Sequence, residues 1–150
     1  LGFNFLAQSQ LNFGRIATAG IEASVNYRFA ISEFDFNLGA NGAWVDFIDR
    51  FFNPTDPTQN NPQLEEEQRP KWAASGFASV GYGPVTLRYG LQYLSSTTFQ
   101  GIEIETAEAQ AGPAGFAPEY FIHDISASFD VNDDLRIYGG VNNFTNEQPY

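Results

Sequence analysis

A chain of 150 residues with a net charge of -11 has too little basic surface to neutralise phosphates, which excludes nucleic acid as a partner. It has no cysteine, which excludes disulfides and thiolate metal sites. Mean hydropathy is -0.28, and no apolar run approaches the roughly 18–20 residues of a spanning helix, so only strands are available to cross a membrane.

One domain is the expectation at this length. The chain opens on Leu1 without a leader and stops at Tyr150 just after a strand-like run, so both ends read as cut from something longer. Leu1–Phe13 has no clear period and reads as the tail of an earlier loop. From residue 17 to 31 the chain alternates in steps of two. Ala19, Ile21, Ala23, Val25, Tyr27 and Phe29 fall on one face, against Gly20, Glu22, Ser24, Asn26 and Arg28 on the other. After the tight turn Ser32-Glu33, a second strand over 34–45 sets Phe34, Phe36, Leu38, Ala40, Gly42 and Trp44 against Asp35, Asn37 and Asn41.

A long polar link, 46–70, follows. The third strand, 71–83, sets Trp72, Ala74, Gly76, Ala78, Val80 and Tyr82 against Lys71, Ser75 and Ser79. Gly83-Pro84 turns the chain into the fourth, 85–95, with Val85, Leu87, Tyr89, Leu91 and Tyr93 against Thr86, Arg88 and Gln92. A second long link, 96–119, leads to the fifth, 120–131, with Phe121, Ile125, Ala127, Phe129 and Val131 against Asp124, Ser126, Ser128 and Asp130. Asn132-Asp133-Asp134 turns into the sixth, 135–144, with Leu135, Ile137, Gly139 and Val141 against Arg136, Tyr138 and Asn142.

The apolar faces carry no Lys, Arg, Asp or Glu. Short turns and long links alternate strictly, so all turns gather at one rim and all links at the other. Aromatic residues mark both ends of the apolar faces, with Ala and Gly between them, as a bilayer selects. The fold class read from these patterns is all-β: an antiparallel up-and-down meander forming about six strands of a larger transmembrane β-barrel. A soluble carbohydrate-binding β-sandwich would also alternate, but its dry core would want large residues mid-strand. The expected arrangement is a curved sheet in sequence order, with 17–31 at one edge, 135–144 at the other and no closure between them. Six strands fall below the eight of the smallest bacterial barrels. Ile21, Val25, Leu38, Val80, Leu87, Ile125 and Ile137 are expected to face lipid, with Val80 and Leu87 near mid-membrane.

No catalytic constellation stands out, and neither a metal nor a cofactor is expected. His123, the only histidine, joins the apolar face by parity and reads as an interfacial side chain. Asp46, Asp49, Asp56 and Glu65-Glu66-Glu67 make the first long link acidic, and Glu103, Glu105 and Glu108 the second. They read as solvated loop surface. Asn143-Phe144-Thr145 matches a glycosylation sequon by chance. Glu22, Arg28, Asp35, Lys71, Arg88, Asp124, Asp130 and Arg136 all fall on the polar face, where cross-strand ion pairing is the expectation. Trp44, Phe47, Arg50, Phe51, Phe52, Arg69, Phe99 and Phe116 are the candidate solute contacts at the long-loop rim, because aromatics and Arg dominate binding hot spots.

Gly20-Ile21-Glu22, Pro70-Lys71-Trp72, Tyr82-Gly83-Pro84, His123-Asp124-Ile125-Ser126 and Gly139-Gly140-Val141-Asn142-Asn143-Phe144-Thr145-Asn146 with Pro149 occur in that order. Together they resemble the late barrel strands of TonB-dependent outer-membrane receptors. The resemblance covers about residues 13–150. It implies a 22-stranded barrel with a plugged lumen, in the outer membrane of a Gram-negative bacterium. It also implies import of a scarce solute such as a ferric siderophore, cobalamin or carbohydrate, driven through TonB. The expected partners are outer-membrane lipid, the protein's own plug domain, the TonB complex and an unknown solute. The polar-face charges would then meet the plug. Plug, TonB-contacting segment and closing strand are expected outside these 150 residues. A passive porin or structural outer-membrane barrel is the alternative.

Overall fold

The computed structural model describes residues 14–53, 56, 58–99 and 101–148. Leu1–Phe13, and Pro149 of the late motif, lie outside the described residues. The strands are β1 (Arg15–Ile31), β2 (Phe34–Phe51), β3 (Asn60–Pro62), β4 (Trp72–Tyr82), β5 (Val85–Leu94), β6 (Thr97–Thr98), β7 (Phe116–Ala117), β8 (Tyr120–Asn132) and β9 (Leu135–Val141). One helix, α1 (Ile104–Ala111), runs into a 3-10 turn at Gly112–Gly115.

The main sheet has the order β1-β2-β4-β5-β8-β9, each strand antiparallel to its neighbour, with β3 added beside the end of β2. It is a meander in sequence order, with β1 at one edge and β9 at the other and no pairing between them. The short turns form where expected. Ser32 and Gly83 take positive φ values of 56° and 54°, a conformation that costs glycine nothing. In the third turn the Asp134 amide donates to Asn132 Oδ1 at 3.0 Å, closing an Asx turn.

Residues paired across strands share a face. The register therefore runs one apolar row through Tyr27, Leu38, Ala78, Tyr89, Ile125 and Val141. An aromatic row, Phe34, Tyr82 and Phe129, lies toward the short turns, and Trp44 and Trp72 lie toward the long links. Val80 and Leu87 sit one pair from the short-turn aromatic row, so they stand near that interface and not at mid-membrane as expected. Among the described residues the apolar face packs against no other layer. Ile21 is 65 % exposed, Val25 62 % and Ile137 59 %. Ala107, in α1, is the only buried apolar side chain among the described residues. A contiguous apolar face of this extent marks a membrane or protein neighbour, and a sandwich core is absent among the described residues.

Two strand ends differ from the sequence reading. β2 continues past Trp44 to Phe51 through a bulge opposite Ala19/Gly20, where Asp46 is the extra residue. Gly20 permits it, since a Cβ there would stand 2.4 Å from the Trp44 carbonyl oxygen. At the other edge β9 ends at Val141, short of the expected 144. Asn143 turns the chain with φ 49°. Its side chain closes the turn, donating to the Glu147 carbonyl at 2.8 Å and accepting from the Glu147 amide at 2.9 Å. Asp124, on β8, accepts the Asn143 amide at 2.8 Å.

The two long links fold against each other as one cap. The Gln63 amide donates to Ile48 and the Thr98 amide to Glu65, which ties β6 to the first link. Asn61 Nδ2 donates to Glu103 Oε1 at 2.7 Å across the two links. β6 pairs with β7, and Phe99 donates to Gly115, which packs its backbone directly on Ala107 of α1. Both links thus lie at one end of the sheet, as the alternation of connection lengths requires.

Candidate functional site

The polar face is concave. Toward the long links it forms an open hollow of about 700 Å³ whose lining includes Glu22, Asn41, Ser75, Gln92, Leu94 and Tyr120. Toward the short turns a second hollow of about 490 Å³ is lined by Phe77, Arg88, Asp124 and Asn142 among others. Between them, Ser75 Oγ donates to Asn41 Oδ1 at 3.2 Å.

Phe77 breaks the polar pattern of its face, and the structure shows why it is tolerated. Its neighbours across both strands are glycines, Gly39 on β2 and Gly90 on β5. The ring lies over Gly39, where a Cβ would meet it at 2.3 Å. The Arg88 guanidinium stacks on that ring at 3.5 Å from its centroid, a cation–π contact. The ring thereby holds Arg88 against the wall in place of a carboxylate.

The eight predicted polar-face charges all lie on the strands or strand ends of that face, but they do not pair as expected. Asp130 and Arg136 do, through two hydrogen bonds, one from Arg136 Nη2 to Asp130 Oδ2 at 2.9 Å. Asp124 caps the Asn143 turn, and Arg88 sits on Phe77. Among the described residues Glu22, Arg28, Asp35 and Lys71 form no ion pair. Facing strands present Asn37 to Arg28 and Ala30 and Gly81 to Asp35, so no opposite charge lies directly across.

The candidate solute contacts divide between the two faces. Trp44 belongs to the apolar face, with its ring 6.1 Å from that of Trp72. Beyond the bulge the parity of β2 reverses. Phe47 pairs with Ala19 and Phe51 with Arg15, whose guanidinium lies 4.3 Å from the Phe51 ring centroid. Trp44, Phe47 and Phe51 therefore share the apolar side of the wall. Arg50 is on the opposite face, 5.1 Å from the Phe52 ring centroid. Arg69 lies in the cap, Phe99 is exposed beside it, and Phe116 is half-buried in β7. His123 is on the apolar face, as its parity predicts. Tyr89 Oη lies 2.7 Å from its Nδ1, and the Phe121 and Phe144 rings flank it.

Sequence reasoning missed Phe77, Leu94, Tyr120 and Ile122. Each is an apolar or aromatic residue at a polar-face position, a break in alternation that was the available signal. Among the described residues no group of three or more His, Cys, Asp or Glu is placed to hold a metal ion.

Within the cap Glu66 is buried, 4 % exposed, beside Arg69 at 3.4 Å. Burial pushes its carboxyl above the ordinary value of 4.5; Glu103 adds to the rise and Arg69 opposes it. Asp56 goes the other way, held low by the Thr58 hydroxyl and amide and by Gln59. The folded cap thus binds the Glu66 proton more tightly than an open one. Its contribution to docking is present in full below pH about 4.5 and is lost as pH rises through the raised value. Exchange of the Thr98 amide, corrected for intrinsic rate, should accelerate from pH 4 to pH 7. Glu66→Gln should flatten that slope, and an unchanged slope in the variant would assign the effect elsewhere.

A meander with one exposed apolar face belted by aromatics and one concave polar face is a wall segment of a transmembrane β-barrel. The chain belongs to the TonB-dependent receptor β-barrel family: the family model described as TonB dependent receptor-like, beta-barrel matches residues 2–144. No curated protein and no solved structure matched the chain. The family is one of outer-membrane receptors and transporters that work with a plug and with TonB.

Proposed function

We propose that this chain is barrel wall of a TonB-dependent transporter in the outer membrane of a Gram-negative bacterium, importing a scarce solute. The observation that carries the reading is the family match across nearly the whole chain, laid over a wall with one lipid-compatible and one hydrophilic face. The long-link cap would face the outside of the cell and capture solute, with Arg50, Phe52, Arg69, Phe99 and Phe116 as its candidate contacts. The hydrophilic face would meet a plug supplied from outside these 150 residues. Glu22, Arg28, Asp35 and Lys71, which form no ion pair among the described residues, are the charges that a plug would answer; Arg88, Asp124, Asp130 and Arg136 complete that surface. The catalytic work would be none: the barrel passes its solute unchanged once the plug rearranges under energy from the inner membrane.

The test is solute uptake by cells carrying the full-length protein, with and without a protonophore. Uptake should collapse when the proton-motive force is removed. Uptake that persists would make the protein a passive porin. A full-length sequence without a plug domain before the barrel would equally sink the transporter reading.

A further inference from the structure

Resting on the transporter reading and deepening its plug contact, we infer that the plug docks on the short-turn half of the polar face, presenting carboxylates to Arg88 and Arg28. The wall between that half and the long links is left to water.

Arg88 carries the argument. Its guanidinium lies over the Phe77 ring, 3.5 Å from the centroid. A guanidinium held by its face keeps its N–H donors free at the edge, because they lie in its plane. Arg88 forms no ion pair among the described residues. A cation fixed in direction with its donor edge open is shaped to take a carboxylate through two parallel hydrogen bonds. Phe77 is thus a positioning residue, seated between Gly39 and Gly90, and it preorganises Arg88 as an anchor. Both residues line the second hollow, where the docking segment would sit. Arg28 repeats the charge in the same paired row, which runs through Asn37 on β2 and Ser79 on β4. Three strand spacings, about 14 Å, separate the backbones of the two arginines.

The surroundings fit a protein neighbour. Tyr138, on the same face and one row nearer the short turns, is 83 % exposed. Aromatic side chains beside arginines are the composition of protein–protein contacts. Charge gives the sign. Asp130 is bonded to Arg136, and Asp124 to the Asn143 amide. In this half Arg28 and Arg88 then stand against Asp35 alone, two cations to one carboxylate, so the docked surface must bring negative charge. Two rows nearer the long links, Ser24, Asn41, Ser75 and Gln92 hold neither charge nor aromatic ring. Ser75 is already bonded to Asn41. That row is at ease in water and offers a docked domain no anchor.

The experiment is hydrogen exchange of the full-length protein in detergent, read on peptides of the plug. Arg88→Glu and Arg28→Glu should each speed exchange of an acidic plug segment tenfold or more. Arg88→Lys, which keeps the charge but not the fork, should fall between, and Phe77→Leu should match it. Raising salt from about 0.05 M to about 0.5 M should speed the same segment in the parent, and not in the variant carrying both Glu substitutions. Gln92→Glu, in the neutral row, should leave plug exchange as it was. Heat-modifiable gel mobility reports that each barrel still folds; where a Glu variant does not, Arg88→Gln and Arg28→Gln take its place. Plug exchange unmoved by both arginine substitutions, or moved as much by Gln92→Glu, would overturn the inference. Uptake with a protonophore separates the two levels. Energy-dependent uptake alongside either of those results keeps the transporter and sinks the docking site. Uptake that ignores the protonophore while exchange responds keeps the docking site and sinks the transporter. A full-length chain with no plug sinks both.

Discussion

Ile125→Arg is expected to destabilise the barrel by about 2–4 kcal/mol, because it places a cation on the lipid face at mid-membrane. Ile125 is 49 % exposed and stands midway along β8 between Phe121 and Phe129, which mark the two aromatic rows. Its partners Tyr89 and Val141 are on the same apolar face and offer no carboxylate. Ser128→Arg on the same strand points to the polar side, between Thr86 and Tyr138, and should cost far less. Leu87→Arg should fall between the two, since Leu87 sits near the short-turn interface, where the cost for a charge drops to about 0–1 kcal/mol. Unfolding of the full-length protein from lipid vesicles in denaturant measures all three. Equal damage from Ile125→Arg and Ser128→Arg would mean the faces are wrongly assigned. Damage from Leu87→Arg matching Ile125→Arg would mean the depth is.

Gly39→Ala should cost about 1–3 kcal/mol, the usual penalty for overfilling a packed site. The added methyl would meet the Phe77 ring at 2.3 Å. The obstacle is a side chain, so Phe77→Ala in the same chain should recover most of the loss, a strong coupling in a double-mutant cycle. Gly20→Ala provides the contrast. There the obstacle is the Trp44 carbonyl at 2.4 Å, which no side-chain substitution can remove, so the β1–β2 bulge itself must shift. Additive effects of Gly39→Ala and Phe77→Ala would show that the ring does not rest on the glycine. Freed from Phe77, Arg88 would also lose its cation–π partner. Phe77→Ala alone should therefore loosen Arg88 as well as vacate the ring's space.

Strand identity, order and facing were legible because a strand has a period of two and a bilayer punishes every charge on one side of it. Ile21, Leu38 and Ile137 needed nothing but parity to be placed. His123 was placed the same way, although its pairing with Tyr89 was not. Parity fails wherever the chain inserts a residue. The bulge at Asp46 turned Phe47 and Phe51 outward and Arg50 inward, and the Asn143 turn stopped β9 early. Neither event changes composition or local alternation enough to be read. Both are decided by backbone fit, the first by Gly20 against the Trp44 carbonyl and the second by a side chain closing its own turn.

The same division runs through the site. The sequence by itself determined that this chain crosses a membrane as antiparallel strands, that its long links gather at one end, and that its charges avoid lipid. Those properties follow from local periodicity and from connection length. Only the tertiary structure decided which of these side chains meet. It buried Glu66 between two links far apart in sequence, laid Phe77 over Gly39, and aligned Asn41, Ser75 and Gln92 into one row beside Leu94 and Tyr120. Such contacts depend on strand register and loop docking, which are set by the summed pairing of whole strands and leave no mark at any single position.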